Sequence, residues 1–197
     1  MGIMANPFRI DGNNLSLDAI RRLAAEPRPE IGIPARTRRR VERAASFVQE
    51  VLRSGRTVYG ITTGFGRLAK VSIDRGDLAM LQEHLIVSHA AGVGEPLPLA
   101  EARMAIAVRA ATLASGHSGV RMGTLEALAG LWNRDVVPLI PSQGSVCASG
   151  DLAPLAHIAL TLLGKGEAFH RGKRMRSATA LKRAGLEPIH LAPKEGL

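Results

Sequence analysis

Apolar residues recur at helical spacing along most of this chain. The clearest run is 37–54, where Val41, Ala44, Ala45, Val48 and Leu52 fall on one face and Gly55 supplies the stop. Before it, the segment from Leu15 to Asp18 opens a helix to about residue 25, closed by Pro27 and Pro29. Over 76–91, Leu78, Leu81 and Leu85 form one stripe; the same wheel puts His89 on that stripe, pointing inwards, and His84 off it. Two further helices are predicted over 101–115 and 123–132. The first is rich in alanine, and small residues let helices approach closely in a bundle. Leu152, Leu155, Ile158 and Leu162 predict a helix that begins at Asp151, a good capping type, and ends at Gly164-Lys165-Gly166. A short hairpin around Gly172 and a helix over 177–184, stopped by Gly185, complete the pattern. The prediction is a mainly α protein with one short β-hairpin and no internal repeat.

Two stretches do not read as helix. Val58-Tyr59-Gly60-Ile61-Thr62-Thr63-Gly64-Phe65-Gly66 carries glycine too densely for one, which implies an irregular loop with close backbone approaches. It is not a phosphate cradle, because no Lys-Ser/Thr follows and the Gly-x-Gly-x-x-Gly order is absent; the later Gly164-Lys165-Gly166 fails as a P-loop for want of a preceding strand and glycine. The second stretch runs from Pro141 to His157, where a Gly/Ser/Ala-rich loop containing Cys147, Ala148, Ser149 and Gly150 is delivered onto the helix that starts at Asp151.

Composition narrows the classes. Of 197 residues, 46% are hydrophobic, enough for a sizeable core in one domain or a little more. A single cysteine, Cys147, excludes an internal disulfide and a cysteine-built metal cage, and agrees with a reducing cytosol. The opening residues contain no long apolar run, and nowhere do about 18 apolar residues continue without a break, so the expectation is a soluble, cytoplasmic chain with no membrane partner. The formal charge of +9 invites nucleic-acid binding. Its distribution argues otherwise. Arginines cluster at 36–43 and basic residues at 171–183, yet only 3% of residues are aromatic and no stacking platform lies between the charges, so these read as solvated helix faces or subunit contacts.

Three strings together resemble one family, the histidine and aromatic amino acid ammonia-lyases. The string around Ala148-Ser149-Gly150 resembles their active loop, in which an internal Ala-Ser-Gly cyclises by itself into a methylidene-imidazolone, with no external cofactor and no metal. The residue types suit that chemistry: the Gly150 amide nitrogen must attack the Ala148 carbonyl, which a residue without Cβ reaches at least steric cost, and Ser149 must lose its hydroxyl as water. A helix starting at Asp151 would set its positive end beside the ring. Tyr59-Gly60-Ile61-Thr62-Thr63-Gly64-Phe65-Gly66 looks like the family loop whose tyrosine is the catalytic base. Ser88-His89-Ala90-Ala91-Gly92-Val93-Gly94 resembles the histidine-using version of the selectivity motif, which makes His89 a substrate-binding residue for an imidazole.

The resemblance covers nearly the whole chain. It implies the N-terminal part of the ammonia-lyase helical fold, elimination of ammonia from L-histidine to give urocanate, and assembly as a homotetramer whose active sites draw on several subunits. Two positions depart from the pattern: Cys147 stands where glycine is usual, and Ala111 where asparagine usually follows Arg-Ala. Length departs further, since 197 residues stop short of the family's Asn-Gly-Thr-Gln segment and its long C-terminal bundle. The expectation is therefore an N-terminal active-site domain over 1–197. The alternatives are a truncated, non-catalytic interaction homologue, or a tyrosine or phenylalanine ammonia-lyase or aminomutase on the same scaffold.

Overall fold

Helices form where the apolar spacing places them in a computed structural model of the chain, which describes residues 6–24, 28–66, 71, 73–74, 76–146 and 152–196. They are α1 (Leu17–Ala24), α2 (Ala35–Ser54), α3 (Leu78–His89), α4 (Leu99–Ala114), α5 (Met122–Asn133), α6 (Leu152–Leu162) and α7 (Ser177–Ala184). Pro34 and Pro98 stand just before α2 and α4, and Gly55 and Gly185 close α2 and α7 with a left-handed residue. The boundaries differ from those predicted by no more than a few residues.

The core lies between α4 and α5. Ile106, Ala107, Ala110 and Ala114 of α4 are buried in one cluster with Leu125, Leu128 and Leu131 of α5, and the alanines allow the close approach expected of them. Full burial of a leucine such as Leu125 contributes about 1.5–3 kcal/mol.

Strands supply what periodicity did not reveal. Phe8–Arg9 (β1) pairs in parallel with Ile31–Gly32 (β2), which holds the N-terminal segment across α1. Val93–Pro96 (β3) pairs antiparallel with Pro141–Gln143 (β5), with an irregularity in the register. The predicted hairpin is Glu167–His170 (β6) and Lys173–Arg176 (β7), joined by Arg171 and Gly172 at φ 50° and 73°, the backbone that a type I′ turn requires. Val136–Pro138 (β4) adds to it as a third strand in the order β4-β6-β7.

Two further findings refine the sequence reading. The buried positions of α3 are Leu78, Gln82 and Ile86, whereas Leu81 and Leu85 are half-buried. Gln82 is inside because its Oε1 accepts the Gly196 N–H at 2.8 Å. The first arginine cluster is taken up largely by internal contacts: Arg36 pairs with Asp11 at 2.6 Å, Arg38 with Glu126 at 2.6 Å, and Arg40 donates to the carbonyls of Ala114, at 2.7 Å, and Asp11. Among the described residues, no helix is long and apolar enough to cross a membrane.

Candidate active site

Tyr59 sits in a turn that two threonines hold. The Val58 N–H donates to Thr62 Oγ1 at 2.8 Å, the Thr62 hydroxyl donates to the Arg56 carbonyl at 2.9 Å, and the Gly60 N–H reaches Thr63 Oγ1 at 3.3 Å. Thr62 and Thr63 are buried, and their local side-chain bonds replace the helical ladder that the glycines preclude. Tyr59 itself is 58% exposed and meets Phe65 edge-on, with ring centroids 6.1 Å apart and planes at 82°.

His89 is the last residue of α3 and is half-buried. Its Nδ1 lies 2.8 Å from the Leu85 carbonyl. A carbonyl only accepts, so Nδ1 carries the proton, and in the neutral ring Nε2 is left as an acceptor.

Tyr59 and His89 line the same cavity, of about 410 Å³, a volume in the range for a small-molecule site. Leu152, the first residue of α6, lines it as well, and most of the remaining wall is aliphatic. Ala148, Ser149, Gly150 and Asp151 lie outside the described residues, as does Cys147.

Arg109 and Glu195 also line the cavity, and sequence reasoning did not single them out. Burial pulls the Arg109 guanidinium below its ordinary value. The available signal was its place as a cation in the later part of α4, where residues 104–114 are otherwise alanine, aliphatic, methionine or threonine. Burial of Glu195 by itself raises its carboxyl, but donors outweigh that and hold it below the ordinary carboxylate range. They are the Arg121 side chain at 2.7 Å, the Ala192 N–H at 2.7 Å, the Arg121 N–H at 2.8 Å and the Thr124 hydroxyl at 2.8 Å. No periodic pattern marks Glu195, because every one of these partners except Ala192 comes from a distant segment. Among the described residues no three histidine, cysteine, aspartate or glutamate side chains gather as a metal site would need.

Comparison with known proteins bears on this cavity. Residues 15–197 match a family described as aromatic amino acid lyase. The histidine ammonia-lyase of Myxococcus xanthus (strain DK1622) is 53% identical over 189 residues, covering 95% of this chain and 37% of that protein. The chain therefore spans little more than a third of the length of such relatives. The crystal structure of histidine ammonia-lyase from Trypanosoma cruzi superposes with a TM-score of 0.87 at 38% identity, over 96% of this chain and 36% of that one. Tyrosine aminomutase from Streptomyces globisporus gives a TM-score of 0.87 at 37% identity, over 97% and 36%.

Proposed function

Because the chain belongs to the aromatic amino acid lyase family, we propose that residues 1–197 form the N-terminal active-site domain of an enzyme that eliminates ammonia from L-histidine to give urocanate. One observation carries the reading: Tyr59, His89 and the residue that follows the Ala148-Ser149-Gly150-Asp151 string, Leu152, all border one cavity. That arrangement fits a methylidene-imidazolone built from Ala148, Ser149 and Gly150, since the chain leaving the string enters the cavity wall directly as α6. When formed, such a group supplies an electrophilic carbon that makes the substrate's amine a better leaving group.

The rest falls to side chains. Tyr59 takes the proton from the substrate β-carbon; the carbon–nitrogen bond breaks, the double bond forms and ammonia departs. His89, with Nδ1–H engaged by Leu85, offers Nε2 to the N–H of the substrate imidazole and so sets selectivity. Asp151, the residue before Leu152 in the sequence, is assigned a supporting role for the loop, and the positive end of α6 favours negative charge that develops nearby. Assembly as a homotetramer in the cytoplasm belongs to the same proposal and rests on the resemblance and on the single cysteine.

Intact mass tests the prosthetic group. Ring closure and dehydration each release water, so the mass should fall two waters below that of the sequence, and Ser149→Ala should retain the second. Folded protein at the unmodified mass would refute the reading. A second reading, an aromatic amino acid lyase or aminomutase, is favoured by the likeness to the tyrosine aminomutase, and product analysis with histidine, tyrosine and phenylalanine separates the two.

A further inference from the structure

Three segments that the proposed site depends on meet at one point away from the cavity. The turn after α3 contributes Gly92, the exit from β5 contributes Gly144, and the first two turns of α6 contribute Ala153 and His157. A Cβ on Gly92 would stand 3.1 Å from His157 Nε2 and 3.2 Å from Pro141 Cβ; one on Gly144 would stand 3.0 Å from the Gly92 Cα and 3.1 Å from Ala153 Cβ. Glycine at both positions lets the three backbones close on one another. Across this contact the Gly92 N–H donates to His157 Nε2 at 3.3 Å.

We infer that His157 is a positioning residue of the proposed site, an inference that rests on the reading above: its Nε2 ties the turn three residues beyond His89 to the helix that follows Ala148-Ser149-Gly150. His157 is absent from the cavity lining, so it acts through the segments it joins. The geometry dictates the tautomer. Nε2 accepts, hence Nδ1 carries the proton and the ring is neutral. Burial pulls the imidazole below its ordinary value, which keeps Nε2 free to accept. An apolar residue of similar size would not replace it, because the Gly92 amide, one of the backbone groups that β3 and β5 leave outside their short ladder, would lose its acceptor within the protein.

The test compares H157Q, whose Oε1 reaches about as far as Nε2, with H157L, which keeps bulk and loses the acceptor, on the full chain. In H157L the Gly92 amide should exchange with solvent about three- to tenfold faster, the scale of one hydrogen bond, and the ring resonances of His89 should shift. H157Q should restore both. In the active assembly, H157L should raise KM for histidine more than it lowers kcat, and H157Q should bring KM back. If H157L does not fold, H157N, polar but too short to reach Gly92, takes its place. Unchanged Gly92 exchange, or unchanged KM despite faster exchange, overturns the inference. If the parent chain and its assembly fail to turn over histidine, the proposed function falls, while the exchange and His89 readouts still decide whether His157 holds the turn.

Discussion

Glu195 and Arg121 form a pair in which the acid is buried and the base is not: the two side chains are 1% and 49% exposed, with Nη2 and Oε2 2.7 Å apart. The Arg121 main-chain N–H donates to the same carboxylate, so one residue contributes both a charge and a backbone donor. This contact fastens the segment that carries Glu195 and Gly196 to the start of α5, at the cavity wall.

Replacing Glu195 with glutamine keeps the shape and removes the charge. The expected loss is about 1–3 kcal/mol of unfolding free energy, read from urea titration, because the Arg121 guanidinium loses its counter-charge and the four donors are left with one acceptor oxygen in a buried site. The pH dependence has a definite sign. The folded carboxyl lies below the unfolded value of about 4.3, so its stabilisation is complete above that pH and is lost as pH falls through the folded value. E195Q should flatten the acid limb of stability while leaving the neutral limb parallel to that of the parent.

Tyr59→Phe retains the edge contact with Phe65 and removes the hydroxyl. Turnover of histidine by the active assembly should drop by at least about 10²-fold, the scale of a general base, with the melting temperature little changed. A drop that merely tracks lost stability would point to a structural role for the phenol.

His89→Leu removes the acceptor offered to a substrate imidazole and leaves an aliphatic side chain on the cavity wall. The ratio of kcat/KM for histidine to that for tyrosine or phenylalanine should fall by about tenfold or more, the usual worth of an unpaired polar group on a bound substrate. An unchanged ratio would transfer the substrate assignment to the aromatic amino acids.

Leu125→Ala opens the core between α4 and α5, where Leu125 is fully buried. A loss of about 2–5 kcal/mol is expected, from the deleted methyl groups and the cavity left behind. Because Leu125 does not line the active cavity, histidine turnover per folded molecule should stay near that of the parent.

Sequence by itself determined the helices and the irregular glycine-rich loop over 58–66. A helix repeats every 3.6 residues, so 37–54 and 76–91 announce themselves over several turns, and a loop such as 58–66 is legible because glycine and threonine types report on the backbone directly. The short strands β1 to β5 carry no such record, since two to four residues contain no period and each depends on a partner far along the chain. The same dependence on distant partners hid Glu195 and the tie between Gly92 and His157, which are 65 positions apart. Only the tertiary structure decided that Tyr59, His89 and Leu152 border one cavity. Side chains from separate elements become neighbours when the helices bury their apolar faces together, and that placement follows from packing over distance, which no local pattern encodes.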